Sequence, residues 1–406
     1  MAVTRPAKRA SIFLEIPMSI WAIGFVSLLI NASSVIIFNV FPFYATKELG
    51  ISFKGLGVIE GALEAMSWFT RIFSGILSDF LHKRKPILMA ALALIAASRF
   101  VFPMAQNIAW IVGARALDRV GNGLQASPRE ALVGDAAPPH LKGASYGLRQ
   151  TLSLIGSFAG SLVLMYMFNR VGIQYQVAFI LSLIFAVVAF VILFFFVKDR
   201  SEVKLKKTER LKPFHLSEIL NLPPSYWVVV FVASFFMMSN YSSSFMMLRG
   251  ESAAGMSESS IPVVMVVQNL AAFLSAFPFG WLSDKLGRVS FLALGFSLVV
   301  VSNFLLASSG SITLYLLGVA IWGVQMGINQ SLIVASIADA SPAHLRGSAF
   351  GIYYISVAIS LFLSNYIGGV LSHEFGAEWI FYASSSVACV ALLLLPLMRR
   401  ALKNEA

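Results

Sequence analysis

Charged residues and cysteine are scarce in this sequence. Of its 406 residues, 12% are charged and 58% are hydrophobic, whereas a soluble domain has about 25% charged residues. The single thiol, Cys389, excludes a disulfide framework and a metal site with several cysteine ligands. The sequence also lacks a P-loop, a Rossmann glycine pattern and an HExxH motif, and its histidines show no ligand spacing. We therefore expect no enzyme activity, no cofactor and no metal site.

Long apolar runs are abundant instead, and they recur along the whole chain. A helix that crosses a bilayer needs about 20 mostly apolar residues. Segments of this length fall at roughly 17–42, 54–80, 86–106, 108–134, 142–168, 176–197, 224–249, 258–283, 289–309, 311–339, 346–371 and 378–398. The sequence therefore predicts an all-α membrane protein with twelve transmembrane helices, whose solvent is the lipid bilayer.

Basic residues outnumber acidic ones, which gives a formal net charge of +11. They form no single patch for nucleic acid, because they collect in the termini and in the loops on one side of the predicted helices. These residues are Arg5, Lys8, Arg9, Lys83, Arg84, Lys85, Lys142, Lys285, Arg288, Arg346, Arg399, Arg400 and Lys403. By the positive-inside rule, we expect both termini in the cytoplasm, a multi-pass protein in the cytoplasmic (inner) membrane, and no nucleic-acid partner.

A polar segment near the middle of the chain separates two halves that an internal repeat relates. The sequence DAAPPHLKGASYGL at 135–148 matches DASPAHLRGSAFGI at 339–352, and GILSDF at 75–80 matches GWLSDK at 280–285. Two six-helix halves in the same orientation imply a pseudo-two-fold axis along the membrane normal and a solute site between them. The predicted parts are an N-terminal bundle (1–197), a cytoplasmic linker (198–222), whose regulatory role stays open, and a C-terminal bundle (223–406).

The repeated GxLxD segments, each at the end of an even-numbered helix, resemble the signature of the major facilitator superfamily. The first copy has Gly75, Leu77, Asp79, Lys83 and Arg84, with His82 in place of a glycine. The second copy has Gly280, Leu282, Asp284, Lys285, Gly287 and Arg288. The resemblance implies the fold of this family, with two pseudo-symmetric six-helix bundles, and secondary active transport of a small-molecule solute by alternating access.

Carboxylates that end two other helices are the expected partners of the basic residues in these turns. An ion pair between helix ends can latch one side of the protein shut, and in the family such latches bias the conformation. We therefore assign gating to Asp79, Lys83, Arg84, Asp135, Asp284, Arg288 and Asp339. The alternative, that these residues only set the membrane topology, stays open.

An ionic stripe runs along the fourth predicted helix, whose other faces are apolar or small. At about 100° per residue, the stripe carries Arg115, Asp118, Arg119, Asn122, Gln125 and Arg129. A charge at bilayer depth costs at least about 2.5 kcal/mol, so we expect this stripe to face a solute pathway. The second and fourth helices enter from the same side, which places Glu60 level with Arg115 and Glu64 level with Arg119.

The residues from Arg119 to Ala126 resemble the fourth-helix motif of the family, R-x-x-q-G-x-g-a-a, with Asn122 in place of glutamine. The resemblance implies a part in proton coupling for this arginine. The fifth-helix antiporter motif, G-P-x-x-G-G, lacks its proline at 156–161, which weakens an assignment to drug–proton antiport. We expect protons as the coupling ion, handled by Glu60, Glu64, Asp118, Arg115 and Arg119. The alternative that these ion pairs only hold the bundle together stays open.

The two halves differ in the polar groups that they offer a solute. In the first half, Arg71, Arg129 and Arg149 outnumber the acids near them, which suits an anion, since arginine binds carboxylate or phosphate with two hydrogen bonds. The second half offers neutral hydrogen bonds and aromatic contact. The predicted substrate-binding residues are Arg119, Asn122, Arg149, Asn240, Tyr241, Gln325, Asn329 and Asn31.

The sequence thus predicts a transporter, active as a monomer, for a small organic anion or zwitterion, with a siderophore-like carboxylate as one candidate. A multidrug/proton antiporter that exports hydrophobic compounds is the alternative, and it would depend on an acid such as Glu64 rather than on the arginines. A membrane receptor on the same fold is a third hypothesis, but it gives the costly charge stripe no purpose.

Overall fold

The computed structural model describes residues 15–81, 83–104, 107–138, 142–172, 174–197, 222–252, 255–341 and 346–403. Over these residues the chain forms thirteen α-helices and no strand. They are α1 (Met18–Phe43), α2 (Phe53–Leu81), α3 (Arg84–Val101), α4 (Ile108–Ala136), α5 (Lys142–Val171), α6 (Tyr175–Phe196), α7 (Pro224–Met237), α8 (Ser243–Ser252), α9 (Pro262–Leu286), α10 (Arg288–Ser308), α11 (Ile312–Asp339), α12 (Arg346–Glu374) and α13 (Trp379–Lys403).

Thirteen helices make twelve spans because the seventh span is broken. The apolar run at 224–249 predicts one continuous helix, but α7 stops at Met237 and α8 starts at Ser243. The backbone N–H of Ser242, freed by the break, donates to Asn365 Oδ1 at 2.8 Å. Serine and asparagine side chains compete for backbone hydrogen bonds, and they are concentrated between 239 and 244. The break therefore lies where the local chemistry disfavours a helix.

Most of the described helices are apolar enough to cross a membrane, and the exceptions are informative. Nine have the length and hydropathy of a membrane span. Helices α2 and α4 have sufficient length, at 29 residues each, but they are not among the nine. Both carry several charged side chains. A charged helix is tolerated at bilayer depth when its polar side faces protein or a water-filled cavity.

The helices pack as two six-span bundles, as the sequence predicts. In the first bundle α1 packs on α5 and α6, and α4 packs on α2 and α3. In the second, α11 packs on α9 and α10, and α13 packs on α10 and α7. The most extensive contacts between the bundles are those of α2 with α12 and of α5 with α9, and α1 also packs on α8.

The two bundles approach most closely at one end of α2 and α12. A Cβ atom at Gly57 would overlap the Asn365 carbonyl oxygen and lie 2.9 Å from Gly369 Cα, and one at Gly61 would lie 2.9 Å from the Phe362 carbonyl oxygen. Small residues permit such close contact between helix backbones. We call the end of the protein where α2 starts and α12 stops the far end. The opposite end, where α6 stops and α7 starts, is the linker end.

Candidate functional site

A cavity of about 640 Å³ lies between the bundles. Its walls come from α1, α2, α4 and α5 of the first bundle and from α7, α8, α9, α11, α12 and the break in the seventh span. This volume falls within the roughly 300–1,000 Å³ that is typical of small-molecule sites. The central cavity is therefore the candidate solute site.

The two ion pairs expected from matching depths in α2 and α4 are both present. Arg115 Nη2 lies 2.9 Å from Glu60 Oε1, and Arg119 Nη2 lies 3.0 Å from Glu64 Oε1. The first pair is fully buried, whereas the Glu64 side chain is 27% exposed and lines the cavity. Glu60 Oε1 also accepts a hydrogen bond from Ser244 Oγ of α8 at 3.0 Å. Glu60 thus joins the two bundles.

A third ion pair lies beside these, between α3 and α4. Arg99 Nη2 is 2.8 Å from Asp118 Oδ1, and both side chains are at most 1% exposed. Arg99 also donates to the hydroxyls of Ser33 and Ser34, at 3.1 and 3.2 Å. The Asn122 amide donates to the Asp118 carboxylate at 2.8 Å. Asp118 is therefore held by neighbours on two sides.

Aromatic rings cover the arginines of α4. The Arg115 and Arg119 guanidinium carbons lie 5.1 and 4.4 Å from the centre of the Phe38 ring, and Arg115 lies 4.4 Å from that of Phe41. Cation–π contact stabilises a desolvated guanidinium by about 2 kcal/mol. Sequence reasoning did not identify Phe38, because one phenylalanine in an apolar helix has no distinguishing pattern.

Four arginines lie beside the carboxylates of α2 and α4, namely Arg71, Arg99, Arg115 and Arg119. Arg71 is the one of these four without an ion pair among the described residues. Its guanidinium carbon lies 4.4 Å from the Trp68 ring centre, and the Tyr354 ring lies 5.4 Å from that of Trp68. All three side chains line the cavity, and Arg71 Nε is buried with no hydrogen-bond partner. The other three arginines each form an ion pair with a carboxylate. Arg71 is therefore an excess positive charge at the cavity wall. The sequence placed Arg71 among the arginines that outnumber the acids of the first half, but the cation–π contact with Trp68, one helical turn earlier, was not predicted.

The second bundle contributes neutral polar groups. Tyr241 Oη donates to Asn303 Oδ1 at 2.7 Å, and Asn303 Nδ2 donates to Ser384 Oγ at 2.7 Å. Asn329 Nδ2 donates to Gln325 Oε1 at 2.9 Å, while Gln325 Nε2 is buried without a partner in the described structure. Trp322, which sequence reasoning also missed, packs on Tyr241 with ring centres 4.8 Å apart.

Two predicted substrate-binding residues are not among the residues that line the cavity. Asn122 turns back onto Asp118. Arg149 Nη2 forms an ion pair with Glu130 at 2.8 Å, nearer the linker end. The other predicted residues that line it are Asn31, Arg119, Asn240, Tyr241, Gln325 and Asn329.

The predicted latches lie at the linker end, one in each bundle. Arg84 pairs with Asp135, and Arg288 pairs with Asp339. Each pair joins the start of one helix to the end of another within its own bundle, so the repeat in the sequence corresponds to a repeated contact. Lys83 is exposed at the same end. The side chains of Asp79 and Asp284 lie outside the described part of the structure.

A further set of polar contacts, which the sequence did not indicate, joins the two bundles at the far end. Lys47 Nζ of the first bundle lies 2.5 Å from Glu251 Oε1 and 2.8 Å from Glu258 Oε2 of the second. Tyr175 Oη of the first bundle donates to Glu258 Oε1. Loop residues far apart in sequence carry no pattern that predicts such pairing.

Comparison with known proteins agrees with this geometry. The family model for the Major Facilitator Superfamily matches residues 23–256 and 250–406. An uncharacterised MFS-type transporter of Methanocaldococcus jannaschii is 26% identical over 94% of this chain and 95% of its own length. The inner membrane transport protein YajR of Escherichia coli is 23% identical over 93% of this chain and 83% of its own.

Solved structures share the fold at low sequence identity. A POT family transporter in complex with 5-aminolevulinic acid superposes with a TM-score of 0.80 at 14% identity, covering 94% of this chain and 96% of its own. The nucleoside transporter NupG, solved as a point mutant, gives a TM-score of 0.80 at 8% identity, covering 94% and 99%. The twelve-span, two-bundle architecture is therefore that of known membrane transporters.

Proposed function

The chain belongs to the Major Facilitator Superfamily of secondary transporters, and we propose that it moves a small organic anion or zwitterion across the cytoplasmic membrane by alternating access. A chelating carboxylate of the siderophore type is one member of this class. Both termini and the linker end face the cytoplasm, since the basic loops lie there. The monomer is the working unit, and the boundary between its bundles lies in segment 198–222.

The observation that carries this proposal is the unpaired charge of Arg71. A cation that is largely removed from water without a counter-ion is costly. Arg71 is half-buried at the cavity wall, its Nε has no hydrogen-bond partner, and it has no ion pair among the described residues. The anionic group of a solute supplies the missing partner, and Trp68 keeps the guanidinium in a fixed plane. A carboxylate or a phosphate matches that planar fork of N–H donors. The POT family transporter of the same fold holds 5-aminolevulinic acid, which carries such a group.

Glu64 is the carboxylate placed to exchange a proton with the cavity. Its partner Arg119 is fixed by Phe38, yet the Glu64 side chain stays partly exposed to the cavity. Glu64 contacts both Arg119 and the cavity, so uptake of a proton by this carboxylate would free Arg119 for another anion. A cationic group of a zwitterion would compete for the same carboxylate.

From the closed far end we infer that this conformation is the one that opens toward the linker end. Lys47, Glu251, Glu258 and Tyr175 hold the bundles together at the far end, and Gly57 lets α2 meet α12 there. The latches Arg84–Asp135 and Arg288–Asp339 stay within their own bundles. Release to the cytoplasm, or loading from it, occurs in this state.

Thermal unfolding of the purified full chain with a panel of solutes tests the proposal. The panel holds citrate, 5-aminolevulinic acid, a neutral sugar and a cationic amphiphile, each at two pH values. A ligand that binds only the folded state raises the unfolding midpoint. We expect a carboxylate to raise the unfolding midpoint. Arg71→Gln should lower the affinity for that carboxylate by about ten- to a hundredfold, the range for losing a hydrogen bond to a charged group. Arg170→Gln, at an exposed arginine, is the matched control.

The alternative function, export of hydrophobic compounds, is favoured by one feature of the cavity. Met237, Met265 and Met326 line it together with several aromatic rings, and flexible Met-rich surfaces accept varied apolar ligands. In that case a cationic amphiphile stabilises the protein, Glu64→Gln abolishes the effect and Arg71→Gln leaves it intact. That result would overturn the anion proposal.

A further inference from the structure

A second cavity, of about 450 Å³, lies at the far end of the first bundle, and Tyr175 is the only one of its lining residues that the mechanism above uses. It is built where α1 ends in a π-helical turn, Tyr44–Glu48, and where the ends of α3 and α6 meet. The residues that line it are Tyr44, Glu48, Phe102, Pro103, Gln174, Tyr175, Gln176, Val177 and Phe179. It is separate from the central cavity, with which it shares no lining residue.

Four aromatic rings line this cavity. Phe102 and Phe179 are buried and stack with ring centres 5.2 Å apart. The Tyr44 ring stands nearly perpendicular to those of Tyr175 and Phe179, at 82° and 79°, with centres 5.5 and 5.6 Å away. The faces of aromatic rings attract cations through the ring quadrupole, and clustered rings are the usual receptor for quaternary ammonium groups. Phe102 and Phe179 pack on each other, and the Arg99 guanidinium carbon lies 6.0 Å from the Phe102 ring centre. The rings left for a ligand are therefore the partly exposed Tyr44 and Tyr175, which give the cavity wall the chemistry of an ammonium site.

The charges around the cavity also favour a cation. Glu48 lines it, is exposed, and forms no ion pair with any described residue. Tyr175 is bonded to Glu258, and Glu251 and Glu258 share the single positive charge of Lys47. Two carboxylates thus share one ammonium, and Glu48 is left without an ion pair among the described residues.

We propose that this cavity binds an organic ammonium group, with Glu48 as the counter-ion and the rings of Tyr44 and Tyr175 as the cation–π surface. The ammonium can come from a soluble amine or from the head group of a lipid such as phosphatidylethanolamine. Tyr175 also donates to Glu258 of the second bundle, so a ligand on this ring would lie beside a contact that joins the two bundles.

The test compares tetramethylammonium chloride with sodium chloride at equal ionic strength, using the unfolding midpoint of the purified full chain. We expect tetramethylammonium to raise the midpoint of the wild-type protein more than sodium does. Glu48→Gln should weaken its apparent affinity by about tenfold, as should Tyr44→Leu, by loss of the ion pair or of a ring face. Glu374→Gln, at another exposed acid of the far end, should leave the affinity unchanged.

A second arm distinguishes the two sources of the ammonium. The wild-type protein and Glu48→Gln are placed in nanodiscs of phosphatidylethanolamine or of phosphatidylglycerol. A midpoint increase specific to phosphatidylethanolamine and dependent on Glu48 assigns the site to lipid, whereas a response to tetramethylammonium alone assigns it to a soluble amine. If neither arm shows a preference that depends on Glu48, the proposal is wrong. Since Arg71 takes no part here, this result is independent of the solute proposal.

Discussion

The two bundles share a backbone plan but differ in how they place polar groups at bilayer depth. At the repeat offset, Asp118 and Arg119 of α4 correspond to Trp322 and Gly323 of α11. The latches, by contrast, recur in both halves, as Arg84–Asp135 and as Arg288–Asp339. The ion pairs between helix ends are thus repeated, whereas the fully buried charged side chains of the described residues all lie in the first half.

This asymmetry indicates that the two bundles have different roles at the same cavity. Buried ions are expensive, and the first bundle contains three buried or partly buried ion pairs together with the unpaired Arg71. At the cavity the second bundle presents neutral polar groups, such as Tyr241, Gln325 and Asn329, which cost far less to desolvate. We expect the first bundle to carry the charge-dependent steps and the second to determine which solute shapes fit.

Breaking a buried ion pair of the first bundle should give the largest effect. Arg115→Leu removes the ion-pair partner of the fully buried Glu60, which keeps the Ser244 hydroxyl as a hydrogen-bond donor. Removing one member of such a pair costs about 3–5 kcal/mol of unfolding free energy. Denaturant unfolding of the purified protein measures it. Adding Glu60→Met removes the orphaned charge and should restore most of the loss. If the double variant is as unstable as the single one, the pair is not what holds this region.

The double variant also decides between a structural and a functional pair. A protein that folds normally with Glu60→Met and Arg115→Leu but no longer transports solute would assign the pair to coupling. Normal transport would assign it to structure alone. Flux into proteoliposomes, with and without a pH gradient, separates the two outcomes.

The second bundle should be more sensitive to packing than to charge. A Cβ atom at Gly295 would overlap the side-chain oxygen of Asn329, whose amide nitrogen is bonded to Gln325. Overpacking of this kind costs about 1–3 kcal/mol, so Gly295→Ala should lower the unfolding free energy by that amount. Gly113→Ala is the control, because a Cβ atom there meets nothing within 4 Å. Equal stability of the two variants would contradict the expectation.

Much of the architecture was predictable because it depends on one-dimensional patterns. Span length, the basic loops and the repeat between the halves need no knowledge of helix rotation. The pairing of Glu60 with Arg115 was also accessible, since α2 and α4 start at the same end and depth can be counted. Residue depth along a helix does not show which side chains of other helices lie next to a residue. Arg149 therefore appeared to face the solute, although it pairs with Glu130.

The break in the seventh span and the far-end contacts were missed for related reasons. Met237 and the residues before it continue an apolar run that is typical of a helix, and the break depends on Asn365, which lies on another helix. Lys47 looked like an ordinary loop residue until the fold placed Glu251 and Glu258 opposite it. Contacts between the bundles are properties of the conformational state, which a sequence does not specify.

A neutral hydrogen bond in the second bundle should be worth less than either change above. Tyr241→Phe removes the hydroxyl that donates to Asn303 but keeps the ring that packs on Trp322. A typical buried hydrogen bond contributes about 0.5–1.5 kcal/mol, and we expect the unfolding free energy to fall by this much. Tyr382→Phe, at an exposed ring, should have no effect. A loss as large as that of Arg115→Leu would remove the distinction between the bundles.

The smallest effect on stability should come from the exposed ion pairs at the far end. The Lys47 side chain is 41% exposed, and exposed pairs contribute about 0.2–1 kcal/mol, so Lys47→Ala should hardly change the unfolding free energy.

The effect of Lys47→Ala on conformation should be larger, because this lysine is bonded to the second bundle only while the far end is closed. A cysteine at Lys54, an exposed position of that end, should react faster with a membrane-impermeant thiol reagent in Lys47→Ala, with Cys389 replaced by serine throughout. Lys85→Ala, at the linker end, should leave that rate unchanged. Charge would then stabilise the protein where it is buried and select the conformation where it is exposed. If the cysteine at position 54 reacts at an unchanged rate in Lys47→Ala, these ion pairs do not keep the far end closed. The close contact between α2 and α12 at Gly57 would then account for the closure.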